Sequence, residues 1–454
     1  MNTDGGRVVA IPMGGGALLS QPEAGTLTPT DDVAVGYREQ ELLLSGDAHV
    51  YSGIATEPAT RTGEHLPYCT RIVARFPADP DAFSGRAFVE PFNTTRGGVD
   101  HDRVWRQLES LCVAQGDGWI GVTVRPSAGE ALKAADANRY RDIDIPLNDV
   151  EWDILRHVGT HLKMSDPVSS EAIIARPITR LYMVGYSQSG VDTATFAMAI
   201  HKLTLLPDDS PVYDGYLPSA HSGSLAAVRT GSASLLPPFE YAPMTAVPVP
   251  VVDVETQTDV EGVKVIADGE IVFRAMGGGN VRRPDSDAPG DLYRLYELAG
   301  APHVQEDPDC PTSSTFPTDH FIRAAALRLV RWAENGQTPP RAPRIELAAQ
   351  DVICESKLDD AGNAVGGVRS PFVDVPLSTF DAHSYSQSSG LYMLTGDERP
   401  FSREAALRRY GSVDAYAERF RVALDETIEA GYLLAADRDE LLAAQLDKAR
   451  ALLS

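Results

Sequence analysis

The chain has 454 residues, 43% hydrophobic and 23% charged, the balance of a folded protein with enough length to bury a large core. The 64 acidic residues outnumber 40 basic ones for a net charge of −24, and no cluster of Lys/Arg offsets it, which argues against nucleic acid as a partner. No run of about 18 apolar residues is present to span a membrane. Cys69, Cys112, Cys310 and Cys354 lack C-x-x-C spacing, as expected of free thiols in a reducing, cytoplasmic setting.

In chain order, residues 1–30 are rich in Gly, Pro and Thr and are expected to be irregular. Short strands follow at Glu41–Leu44, Val50–Ile54 and Arg71–Phe76, and Phe88–Glu90 reads as a buried strand that stops at Pro91. Helical spacing over Val104–Ala114 precedes a strand at Trp119–Val124, and Val150–Lys163 is amphipathic. A short apolar strand, Leu181–Val184, leads to helical spacing over Val191–Leu203. Further strands are expected at Val251–Val254 and Tyr293–Ala299, with a helix at Phe321–Glu334. Residues 341–400 are loop-rich, and 403–453 read as helix. Strands alternating with helices predict an α/β fold with a mainly parallel sheet flanked by helices. The expected divisions are a β-rich extension over 1–75, a core over 76–340 with a cap-like insert at 219–249, and a carboxyl-terminal extension over 341–454.

Gly185-Tyr186-Ser187-Gln188-Ser189-Gly190 follows the strand at 181–184. A serine on a tight strand-to-helix turn presents its hydroxyl at the sheet's carboxyl edge, and small flanking residues let the helix pack close. The second glycine of G-x-S-x-G is delayed to Gly190, but Ser189 is small enough for the same turn. Such a serine needs a histidine base and a carboxylate to orient it, in the chain order serine, acid, histidine. Of His201, His221, His303, His320 and His383, only His303 lies in a loop directly off a strand end, in Gly300-Ala301-Pro302-His303. Asp259 falls where the strand from Val251 becomes a loop, with Glu255 as the alternative acid. The backbone N–H of Gln188, with that of Asn93 or Thr94, would bind the oxyanion. His157 and His161 stand four apart on a helix but have no third ligand, so they read as helix surface. Tyr385–Gly390 echoes the turn without a preceding strand and reads as a polar loop.

The chain also resembles a bacterial family, the α/β-hydrolase domain-containing proteins, through segments running from about residue 36 to 371. They include Phe88-Val89-Glu90-Pro91-Phe92-Asn93, the serine turn, Tyr296-Glu297-Leu298-Ala299-Gly300-Ala301-Pro302-His303 and Gly366-Gly367-Val368-Arg369-Ser370-Pro371. Pro91 stands where an aromatic residue is expected, and Gln257 where an acid is common. The resemblance implies an α/β-hydrolase fold and supports Ser187 and His303 as nucleophile and base. The expected activity is hydrolysis of a small-molecule carboxylic ester, with no cofactor or metal. An amide or lactone hydrolase, an acyltransferase and a non-catalytic binding protein are the alternatives.

Overall fold

A computed structural model describes residues 7–11, 16–20, 27–29, 34–165, 176–233, 239–267, 270–305, 312–383 and 394–453. The chain forms two compact units, Met1–Val251 with Ala288–Leu292, and Val252–Asp287 with Tyr293–Ser454. The divisions expected at 75 and 340 do not coincide with these, and residue 75 lies inside a strand.

In the first unit, β1 (Arg7–Ala10), β2 (Tyr37–Ser52) and β3 (Thr60–Pro77) pair antiparallel. The short strands expected in this region are segments of these two long ribbons. Charged residues on these ribbons pair off inside: Arg71 meets Glu41 at 3.0 Å and Asp100 at 2.7 Å, while Arg75 meets Glu39 at 2.8 Å and Asp102 at 2.7 Å. Both guanidiniums are buried, which is tolerable only because each has two carboxylate partners.

The rest of this unit's sheet is parallel. β4 (Arg86–Pro91) lies between β5 (Gly118–Val122) and β6 (Arg180–Tyr186), and β7 (Gly215–Ser219) continues beyond β6. β5 joins this set to the ribbons by pairing antiparallel with β3. β4 ends at Pro91, where the sequence suggested that it stops. Its pairing with β6 ends at Val89, while that with β5 continues to Pro91, so the missing proline N–H falls where one side has no ladder. Helices α1 (Arg103–Gln115), α2 (Pro126–Ala135), α3 (Glu151–Met164) and α4 (Gln188–Thr195) connect or follow these strands. The parallel order brings the ends of β4, β6 and β7 to one edge.

In the second unit, β8 (Val251–Thr256) neighbours β9 (Asp291–Leu298). A hairpin of Gly262–Ala267 and Glu270–Met276 lies between them in sequence. Helix α5 (Gln257–Glu261) leaves β8 directly, and α6 (Thr318–Asn335) follows β9. Short strand pairs fill the loop-rich stretch before α7 (Arg403–Tyr410), α8 (Val413–Ala430) and α9 (Arg438–Leu453). Among the described residues, no helix is long and apolar enough to cross a membrane. Cys69, Cys112 and Cys354 are free thiols, and Cys310 lies outside the described residues.

Candidate active site

Ser187 stands alone between β6 and α4, with φ 61° and ψ −120°. A non-glycine residue held at positive φ stores strain and persists only where its surroundings over-determine it. Here they do. The Ser187 N–H donates to the Ser219 carbonyl at the end of β7, 2.9 Å away. Ser189 braces the turn: its hydroxyl oxygen accepts from the Tyr186 N–H at 2.9 Å and lies 3.1 Å from the Tyr186 carbonyl, to which it donates. A Cβ on Gly185 would lie 2.0 Å from the Ser189 carbonyl oxygen, and one on Gly190 would lie 2.2 Å from that of Ser219. The delayed glycine is therefore the one that α4 needs to pack on β7. A serine suffices at 189, where the side chain is used.

The loop after β4 reaches the same edge. Asn93 clamps it to the turn, its amide donating to the Tyr186 carbonyl at 3.1 Å while its Oδ1 accepts from the Thr95 N–H and hydroxyl. The Asn93 N–H faces the His101 carbonyl at a long 3.4 Å. The Thr94 N–H and hydroxyl both donate to the side-chain carbonyl of Gln188, at 2.7 and 2.9 Å. Beneath α4 the buried Arg125 guanidinium bridges Asp192 and Glu151, each at 2.5 Å. Burial raises both carboxyl pKa values, that of Glu151 well above its usual range.

The second unit holds the other two expected residues. Nδ1 of His303, in the loop off β9, lies 2.8 Å from Asp259 Oδ1 on α5. Because a carboxylate only accepts, this bond places the proton on Nδ1 and leaves Nε2 as the basic nitrogen. Asp259 and Thr256 form a capping box: the other carboxylate oxygen accepts from the Thr256 N–H at 3.3 Å and from its hydroxyl. The His303 N–H donates to the Thr258 hydroxyl at 3.1 Å. Gln257 ties the two loops together. Its carbonyl accepts from the Gly300 N–H at 2.8 Å, and its N–H donates to the Ala301 carbonyl at 3.0 Å. Glu255, the alternative acid, stays on β8 with its side chain buried.

The other histidines have different partners. His201 bonds the Tyr216 hydroxyl at 2.8 Å, His221 faces the Ser224 carbonyl, His320 faces Asp437 and His383 faces Glu261. His157 is not on a surface as expected: it is buried, with Nδ1 2.7 Å from the Tyr68 hydroxyl. The echo at Tyr385–Gly390 lies outside the described residues. Sequence reasoning missed the bracing roles of Ser189 and Thr256 and the bond between Gln188 and Thr94. The T-x-x-D spacing of a capping box was the available signal for Thr256.

Residues 9–443 match the family described as Alpha/beta hydrolase domain. Among solved structures, a serine hydrolase without a lid from Xanthomonas campestris is similar at 14% identity and TM-score 0.25, over 47% of this chain and 72% of that one. A serine hydrolase homologue from Coxiella burnetii is similar at 15% identity and TM-score 0.23, over 42% and 69%. A cold-adapted esterase from an Arctic intertidal metagenomic library is similar at 11% identity and TM-score 0.24, over 50% and 75%. No curated protein matches the chain.

Proposed function

The chain belongs to the Alpha/beta hydrolase domain family, and from that premise we propose that it is a serine hydrolase that cleaves a small-molecule carboxylic ester. The observation that carries this reading is Ser187, held at positive φ between β6 and α4 with no side-chain hydrogen bond capping that helix. Asp259 fixes the Nδ1 proton of His303, so Nε2 accepts the Ser187 proton as its oxygen attacks the ester carbonyl. The imidazolium formed is stabilised by Asp259 and returns the proton to the leaving alcohol. Water activated by His303 then hydrolyses the acyl-enzyme. The Gln188 N–H and the loop at Asn93 and Thr94 supply donors to the oxyanion.

A fluorophosphonate that phosphonylates serine nucleophiles tests this reading. The folded protein should take one label, on Ser187. Ser187→Ala should abolish labelling and reduce ester turnover on the order of 10^6-fold, as when a triad acts as a unit. Retention of most turnover in that variant would remove Ser187 from the role. Matched ester, amide and lactone substrates decide which bond is cleaved.

A further inference from the structure

Gln188 contributes more to the serine turn than its backbone. Its side-chain carbonyl oxygen accepts two hydrogen bonds from one residue, the Thr94 N–H at 2.7 Å and the Thr94 hydroxyl at 2.9 Å. Both residues are buried. Two converging donors at 2.7–3.1 Å are the geometry by which a hydrolase holds a developing oxyanion. An amide carbonyl is the neutral group that most resembles one. The loop is held in place by other contacts as well. Asn93 already clamps the loop to Tyr186, the Asn93 and His101 backbones bridge, and the Gly98 N–H closes the turn on the Thr94 carbonyl at 3.1 Å.

We infer that the Gln188 carboxamide is a resident plug of the oxyanion site, occupying the Thr94 donors at rest and rotating away when the tetrahedral oxyanion forms. This rests on the serine hydrolase reading. The physical consequence is selectivity between ground and transition state. A neutral ester carbonyl is no better an acceptor than the amide oxygen it must displace, so it gains little from the exchange. An alkoxide makes charge-assisted hydrogen bonds roughly twice as strong and displaces the plug. Gln188 therefore withholds the Thr94 donors from the bound ester and releases them to the transition state, which is where binding accelerates the reaction. It is a positioning residue that sets the split between KM and kcat.

The test compares the purified full-length protein with Gln188→Met, which keeps the volume without the acceptor, and Gln188→Glu, which keeps the shape with a stronger acceptor. Fluorophosphonate labelling rates and ester kinetics are measured from pH 5.5 to 8.5, with circular dichroism to check folding. For Gln188→Met a severalfold lower KM is expected, with labelling at least as fast as wild type. Gln188→Glu should label at least tenfold more slowly at pH 8, and its rate relative to wild type should recover as the pH falls and the carboxylate protonates. If instead the carboxamide were a brace, Gln188→Met would lose both labelling and kcat, and Gln188→Glu, still an acceptor, would follow wild type at every pH. Either result overturns the plug. If Gln188→Met does not fold, the pH dependence of Gln188→Glu decides alone. Wild-type protein that takes no label overturns the hydrolase reading itself. Label on wild type with unaltered variants overturns only the plug.

Discussion

A methyl group on Gly190 has nowhere to go. Its nearest neighbour is the backbone carbonyl of Ser219, which is pinned by the Ser187 N–H and cannot swing aside as a side chain would. Gly190→Ala should lower stability by about 3 kcal/mol or more, at the upper end of overpacking penalties, read as a fall in the urea midpoint. An unchanged midpoint would mean that α4 packs less tightly on β7 than described. At this scale much was legible in the sequence. The strand-to-helix turn at Ser187 and the hydrogen bond between Asp259 and His303 could be anticipated from chain order and from what precedes each residue; their catalytic roles are the proposal made above. Two roles were illegible. Gln188 and Asn93 act through side-chain bonds to residues some 90 positions away in sequence, and no local pattern encodes such a partner.

Where elements meet, buried polar groups set the pH response. His201 follows α4 and bonds Tyr216 on β7, and burial first, then Lys202, pulls its pKa down to about 4. The folded state therefore keeps this imidazole neutral, while the unfolded chain binds a proton below about pH 6.5. Between pH 6.5 and 4 the unfolded state holds more protons, so stability is lost as the pH falls through that window. From pH 6.5 to 5 this site alone should remove about 2 kcal/mol. His201→Gln keeps a polar partner for Tyr216 and should flatten that part of the profile in urea melts at pH 7, 6 and 5. An equal slope in both proteins would exclude His201 as the source. Element type was legible wherever the apolar period was clean, as for α1, α3 and β6. The β2–β3 ribbon was legible only as short strands, because Arg71, Arg75, Glu39 and Glu41 look like surface residues until their cross-strand partners are known.

For the molecule as a whole, a net charge of −24 is an excess that folding concentrates. Self-repulsion opposes the compact state, and salt screens it over a distance that shrinks from about 30 Å at 0.01 M to about 8 Å at 0.15 M. The melting temperature should therefore rise by a few degrees across that range of NaCl, and a fall would show that attractive ion pairs dominate instead. The α/β class was legible from the alternation of strands and helices. The division into units was not, because β8 and β9 are far apart in sequence and no local pattern encodes their pairing. One feature also sets an order of events during folding. The Ser187 N–H has its acceptor on β7, 32 residues downstream, so the strained turn lacks that support until β6 and β7 are side by side. A growing or half-folded chain thus carries its serine as an ordinary, relaxed alcohol. On the reading proposed above, reactivity would arrive late, with the sheet, and not in an unfinished copy.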